Sequence, residues 1–342
     1  MLLIPTPIRS LGRIIAALLV ALVLSAGFTA LAAAAPARAD DTDGISGAPS
    51  TETEADGRSR FTYQAAPGQQ LTDNYLVRNT GTTPQTMKVF ATDAYNTDDG
   101  SYGLLDTDAP AVDAGSWVSF ADGAKSLEIP LDPGATQVVP FAVDVPGDAA
   151  PGDHAAGIVT SLVTTDASQS LSVDRRLGTR VNLRVAGELD PAAAITDVST
   201  AYTPSWNPFA AGILTVSYAL ENPGNTRITG VETLAVAGPL GLFDADAAPV
   251  QLREIIPGSV VEVTRELPVM SLGWVGGTLT VTPEGVGLGT GSVAPVSVEV
   301  GTLALPWSLY ALLVLTAAIV AAGLIVMRVR RARVRDAAAA AP

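Results

Sequence analysis

The chain has 342 residues, 20 Lys+Arg against 34 Asp+Glu, one histidine and no cysteine, for a formal net charge of −14. That composition excludes cysteine nucleophiles, zinc–thiolate sites and iron–sulfur clusters, and its acidity argues against a nucleic-acid partner, whose binding rests on phosphate neutralisation. Three arginines precede residue 40 and five follow residue 327, while Asp336 is the one acid at either end, so the middle holds 12 basic and 33 acidic residues, a net of −21.

The N-terminus reads as an export signal over residues 1–39. Arg9 and Arg13 precede the apolar stretch Ile14–Leu24, too short to span a bilayer comfortably, and Ala37-Arg38-Ala39 supplies small residues for cleavage after Ala39. An uncleaved signal anchor is the alternative. Residues 40–57 (DDTDGISGAPSTETEADG) are acidic, small and polar and predict a disordered linker.

From residue 58 the texture changes. Short runs rich in Val, Thr, Leu and Tyr alternate with Pro-Gly, Asn-x-Gly and Asp-Gly turn signals. Residues 58–188 predict one β-sandwich, with strands at Phe61–Ala65, Leu71–Arg78, Thr86–Thr92, Ser126–Ile129, Gln137–Val143, Gly157–Val163 and Leu171–Val185. The polar stretch Asn96–Ser116 reads as a long loop, a common place for function. Residues 189–302 predict a second sandwich. A weak repeat supports the division: Tyr75–Gly81 (YLVRNTG) resembles Tyr218–Gly224 (YALENPG), and a Pro-Gly turn follows each, at Pro133-Gly134 and Pro257-Gly258. The expected fold class is therefore all-β, two tandem immunoglobulin-like sandwiches followed by one transmembrane helix.

The charge-free run 303–327 supplies that helix. Its 21 residues from Trp307 to Met327, at about 1.5 Å each, span about 31 Å, close to the hydrocarbon thickness of a bilayer. The basic tail 328–342 (RVRRARVR at its start) places the C-terminus in the cytoplasm and the preceding domains outside, in the plasma membrane. The run lacks the Thr-Gly of a wall-sorting signal after Leu305-Pro306, which favours retention as an intact membrane protein.

Few residues point to chemistry. A lone His154, with no cysteine to activate and no second histidine to share a metal, reads as structural. The loop Asn96–Gly100 with Asp106 and Asp108 offers oxygen ligands suited to calcium, but its spacing departs from the usual loop and a solvated acidic loop is the simpler reading. No cofactor, metal or catalytic residue is expected, and the chain reads as a non-enzyme. Residues 174–185 are more informative. Alternation puts Arg176, Arg180, Asn182 and Arg184 on one face of a strand, a stripe suited to carboxylates or an anionic polymer. The alternative is pairing with acids on neighbouring strands. Trp117 is a candidate sugar-stacking platform, though a sandwich tryptophan is more often a core anchor.

The first domain resembles the peptidoglycan-binding domain of WxL-interacting proteins, Gram-positive cell-surface proteins. The matching pieces are Ala66–Leu71 (APGQQL), Val77–Gly81 (VRNTG), Val89–Asn96 (VFATDAYN), Gly115–Val118 (GSWV), Pro151–Val159 (PGDHAAGIV) and Arg176–Arg180 (RLGTR). The resemblance implies a non-catalytic, single-pass surface protein that binds peptidoglycan or another wall polymer, or a surface protein. From a different class, an extracytoplasmic assembly factor that caps exposed sheet edges of exported proteins fits the same layout.

Overall fold

The computed structural model describes residues 43–166, 171–287 and 293–339. The expected export signal lies outside them. The fold is mostly β, with one long apolar helix at its C-terminal end. The first part of the chain contributes β1 (Ile45–Ser50), β2 (Phe61–Ala65), β3 (Gln70–Asn79), β4 (Gln85–Asn96), β5 (Tyr102–Leu104), the one-turn helix α1 (Ala114–Trp117), β6 (Val118–Ser119), β7 (Ser126–Leu131), β8 (Thr136–Asp144), β9 (Gly152–Asp166) and β10 (Leu171–Val185). The second contributes β11 (Ala194–Thr203), β12 (Gly212–Glu221), β13 (Ile228–Ala237), β14 (Ala245–Asp246), β15 (Val250–Ile255), β16 (Val260–Val269), β17 (Gly273–Gly285) and β18 (Val296–Ala304), and the chain continues into α2 (Trp307–Ala339).

Each part folds two sheets around its own apolar core. In the first, the sheet β1-β3-β8-β6 faces the sheet β2-β10-β9-β4-β5, whose β4 also pairs with β7. Alternate residues of these strands point inward, so Phe61, Tyr75, Met87, Phe141, Ile158 and Leu183 share one core. Phe61 meets Phe141 edge-on with ring centroids 5.1 Å apart, and the buried Tyr75 hydroxyl lies 3.1 Å from Thr160 Oγ1 on the facing sheet. In the second, β11-β12-β16 faces β14-β13-β17-β18, with Leu214, Tyr218, Leu234 and Leu279 central. Glu232 is fully buried beside this core, 3.0 Å from Arg265 Nε and 3.0 Å from the Tyr218 hydroxyl.

The sequence repeat has a structural cause. Asn79 Nδ2 donates to the Thr83 and Leu131 carbonyls at 2.8 and 3.0 Å, its Oδ1 accepts from the Gly81 N–H, and its own carbonyl accepts from the Gly134 N–H. Asn222 does the same with Thr226 O, Ile255 O, Gly224 N–H and Gly258 N–H. In each copy one asparagine closes its own turn and ties it to the Pro-Gly turn some 50 or 35 residues later.

The two parts are joined by more than the chain between them. The β4–β5 turn docks on β15 and β16: Asn96 Nδ2 donates to Glu254 O at 2.9 Å, the Ile256 N–H donates to Asn96 Oδ1 at 2.9 Å, and the Glu262 N–H donates to Asp98 O at 2.8 Å. Beside it lies a buried ionic cluster. Asp153 takes Arg184 Nε and Nη2 at 2.8 and 2.6 Å and the Arg227 backbone N–H at 2.8 Å, while Arg227 Nη1 reaches Glu254 at 2.8 Å.

Three expectations are corrected. Ile45–Ser50, inside the expected disordered linker, is a strand paired residue for residue with β3 from Ile45↔Asn79 to Ser50↔Asn74. Its small residues are what the site requires, because a Cβ on Gly47 would lie 1.9 Å from the Tyr75 hydroxyl. The expected loop Asn96–Ser116 contains β5 and most of α1. The apolar run 303–327 is not all helix: Leu303 and Ala304 end β18, and α2 starts at Trp307 after Pro306. Among the described residues, α2 is the one helix long and apolar enough to cross a membrane.

Candidate ligand-binding face

The β9–β10 hairpin is the longest paired element, running from Gly152↔Val185 to Asp166↔Leu171. Its inner face (Ala156, Ile158, Thr160, Leu162, Val181, Leu183) enters the core. Its outer face is partly covered by residues 97–117. Leu104 seats on two glycines there: a Cβ on Gly157 or Gly178 would lie 2.6 or 2.3 Å from Leu104 Cδ1. The Tyr102 hydroxyl donates to Ala156 O at 2.8 Å.

The cover is held by a residue that sequence reading missed. Asp93, buried at the end of β4, accepts three backbone N–H bonds, from Val112 at 2.6 Å, Asp113 at 2.9 Å and Gly115 at 2.7 Å. Gly115 must be glycine because its Cβ would meet the Thr92 carbonyl carbon at 2.4 Å. This turn starts α1 and delivers Trp117 to His154, with ring centroids 4.7 Å apart. Trp117 is therefore half-buried against the core and is not an open stacking platform.

His154 lies on β9. Its Nδ1 is 2.7 Å from Asp113 Oδ1 and its Nε2 is 2.9 Å from Ala150 O. Two acceptors face two ring nitrogens, so the doubly protonated ring satisfies both. Burial alone would lower its pKa, but the Asp113 carboxylate and the Ala150 carbonyl outweigh burial and raise it. A raised folded-state pKa contributes stability that is complete below the unfolded value of about 6.5 and is lost as pH rises through the folded value. A His154→Phe variant should thus melt below the wild type at pH about 6, by about 1 kcal/mol given the half-exposed Asp113, and the difference should shrink toward pH about 9. A gap that widens with pH would contradict this assignment.

The expected arginine stripe divides. Arg184 is buried in the cluster with Asp153 and also donates to Val286 O at 2.8 Å, so it belongs to the joint between the two parts. Asn182 beside it is 2% exposed and out of a ligand's reach. Arg176 donates to Leu105 O and pairs with Asp106 at 3.5 Å, its guanidinium 5.8 Å from the Phe90 ring centroid. Arg180 stacks on Tyr102 with its guanidinium 3.8 Å from the ring centroid. Arg176 and Arg180, with Tyr102, Leu104, Val159 and Gly178, line an open cleft of about 360 Å³. The acidic loop, read as a solvated loop with calcium as the alternative, takes part in the joint. Asp99 accepts from Thr97 Oγ1 and from the Ser101 N–H and Oγ, which hold its carboxyl at about 2, and it pairs with Arg253 at 3.3 Å. Among the described residues, no three His, Asp or Glu side chains gather as metal ligands.

A second feature of the hairpin was not legible in the sequence. β2 runs parallel to β10 but pairs with Val181–Val185 alone. Over Leu171–Arg180 the β10 edge away from β9 has no strand paired with it among the described residues, although β1 of the facing sheet packs near it and Arg175 Nη1 donates to Asp43 O at 3.1 Å. Val173 and Leu177, on the face that continues the core, are 42% and 38% exposed there. A long edge with exposed apolar side chains is what folded proteins ordinarily cover.

No family model and no curated protein matches the sequence. Among solved structures, the chain is similar to one from a chaperone–tip adhesin complex of CFA/I fimbriae biogenesis (11% identity, 77% of this chain and 99% of that one, TM-score 0.34). It is likewise similar to the class 5 fimbriae chaperone CfaA (12% identity, 73% and 98%, TM-score 0.31). A third likeness is to a chain of the CsuC–CsuE chaperone–tip adhesion subunit pre-assembly complex of Acinetobacter baumannii (10% identity, 75% and 97%, TM-score 0.33). At such scores the likeness is remote and assigns neither a family nor an activity.

Proposed function

We propose that the chain is a non-catalytic binding module, tethered outside the plasma membrane by α2, that takes an extended segment of an exported protein as an added strand on the free edge of β10. The two parts are read as tandem immunoglobulin-like sandwiches, with the arginines after residue 327 cytoplasmic. The unpaired edge Leu171–Arg180 carries this reading. An incoming strand there would lie in line with β2, main chain to main chain, with its apolar side chains beside Val173 and Leu177. The hydrogen bonds and buried ion pairs between the two parts would hold that edge in place relative to the second sandwich.

The second reading is the one the resemblance implies, a WxL-interacting protein whose first domain binds peptidoglycan or another anionic wall polymer. Arg180 favours it. Its charge is stacked on Tyr102 at the cleft and no carboxylate is paired with it among the described contacts.

One experiment separates the two. Full-length protein in detergent is presented with phage-displayed extended peptides and, separately, with insoluble peptidoglycan at physiological salt. Edge binding predicts that selected peptides of alternating apolar pattern lose at least about tenfold in affinity on Val173→Arg with Leu177→Arg and little on Arg180→Ala. Sedimentation with peptidoglycan that is lost on Arg180→Ala and unaffected by the edge variant would overturn the strand-addition reading in favour of the second.

A further inference from the structure

The end of the second sandwich next to α2 carries a group of apolar loop tips that the strand-addition site does not use. The registers Thr203↔Ile213, Gly212↔Val269, Ala237↔Gly276 and Gly273↔Ala304 put the β11–β12, β13–β14 and β16–β17 turns at one end, where β18 passes into α2. Two hydrogen bonds tie these turns to the first turns of the helix: Ser308 Oγ donates to Ser205 O at 2.7 Å, and the Tyr310 hydroxyl donates to Leu272 O at 2.9 Å. Trp206, Phe209 and Leu240 are 97%, 75% and 98% exposed, and Leu272, Phe243 and Leu303 are exposed beside them. Residues 204–211, 270–272 and 303–309 contain no charge, in a chain with 34 acidic residues, and the β13–β14 turn 238–244 carries one, Asp244 at its end after Phe243.

Single exposed apolar residues need no explanation, but a set of them at one end, continuous with an apolar helix, marks a surface that meets something apolar. The hydrogen bonds fix what that is. Through them the β11–β12 and β16–β17 turns stand level with Trp307 and Tyr310, the aromatic residues that open α2, which is where tryptophan and tyrosine anchor a span at the headgroup layer, and the register of β13 with β17 puts the β13–β14 turn at the same end. We infer that these tips enter the interfacial layer of the same bilayer that α2 crosses, Trp206 and Phe209 from one turn, Leu240 and Phe243 from a second and Leu272 from a third. This rests on reading α2 as a membrane span. A single helix alone would let the outer domains swing; tips seated in lipid hold the second sandwich to the membrane and, through the ionic joint, set the height of the β10 edge.

The test uses the full chain in vesicles of phosphatidylcholine and phosphatidylglycerol with acyl chains either plain or brominated near the headgroup end. Bromine quenches tryptophan at contact, and the chain has four tryptophans, Trp117, Trp206, Trp274 and Trp307. One variant keeps Trp206 alone, the others being changed to phenylalanine, and a second keeps Trp307 alone. Quenching of both by at least about twofold in brominated vesicles is expected for side chains at the interface. Quenching of Trp307 without Trp206 overturns the inference and leaves the span intact. Quenching of neither overturns the span and the inference together. Because Trp117 packs on His154, the difference in quenching between wild type and Trp206→Phe serves as the same readout with no change in the core, and Phe209→Trp in that background places a second reporter on the same tip.

Discussion

Replacing Asp153 with alanine is expected to destabilise the protein by about 3–5 kcal/mol, because it leaves the buried charges of Arg184 and Arg227 without their shared carboxylate. Asp153 is 6% exposed and holds Arg184 through two bonds, 2.8 and 2.6 Å, and Arg227 through its backbone N–H at 2.8 Å and its Nε at 3.5 Å. The cluster crosses from the first sandwich to the second, so the loss should also uncouple them. Thermal unfolding in detergent should change from one transition to two, and limited proteolysis should open the connection 186–193. Asp153→Asn keeps an acceptor for Arg184 and should cost roughly half as much. An Asp153→Ala protein that unfolds in one step within about 1 kcal/mol of the wild type would show that the joint rests on the Asn96 and Asp98 contacts instead.

Asp93→Ala is expected to cost about 3–5 kcal/mol for a different reason. Its carboxylate satisfies three backbone donors, those of Val112, Asp113 and Gly115, at the start of the one-turn helix α1, where the first N–H groups have no intrahelical acceptor. The damage should be local first. Amide exchange at those three positions should accelerate, Trp117 should lose its packing on His154, and the Leu104 and Tyr102 cover over the cleft should loosen. Asp93→Asn retains one oxygen acceptor and should lie between the variant and the wild type. Unchanged exchange at Gly115 in Asp93→Ala would remove this residue from its role.

What could be read from the sequence is what depends on local pattern. β2 and β10 match their expected bounds because Val, Leu and Tyr alternate there between turns whose Gly and Pro are required by backbone geometry. The asparagine repeat was visible because both copies solve one turn in one way. What escaped depends on distant partners. β1 has the composition of a linker and becomes a strand because β3 offers it a complete edge. Alternation put Arg176, Arg180 and Arg184 on one face of β10, but it carries no information on what covers that face: the second sandwich buries Arg184, while Arg176 and Arg180 both line the cleft, Arg176 engaged by Leu105 and Asp106 and Arg180 stacked on Tyr102. Asp93 was one acid among 34, with no signal beyond its place at the end of an alternating strand, and the acidic loop after it is spent on contacts to Arg253 and Glu262 more than 150 residues away. The free edge of β10 is a property of sheet order, set by β2 stopping its pairing at Val181.

That edge is where the proposed function is most directly put to the test. Amide hydrogen exchange of the full-length protein, alone and with a saturating selected peptide, reports on each residue of β10. Strand addition predicts that slowed exchange on peptide binding is concentrated in Leu171–Arg180, while Val181–Val185, already paired with β2, change little. Protection confined to Tyr102, Leu104 and the residues around Arg180, with none at Val173 or Leu177, would contradict it.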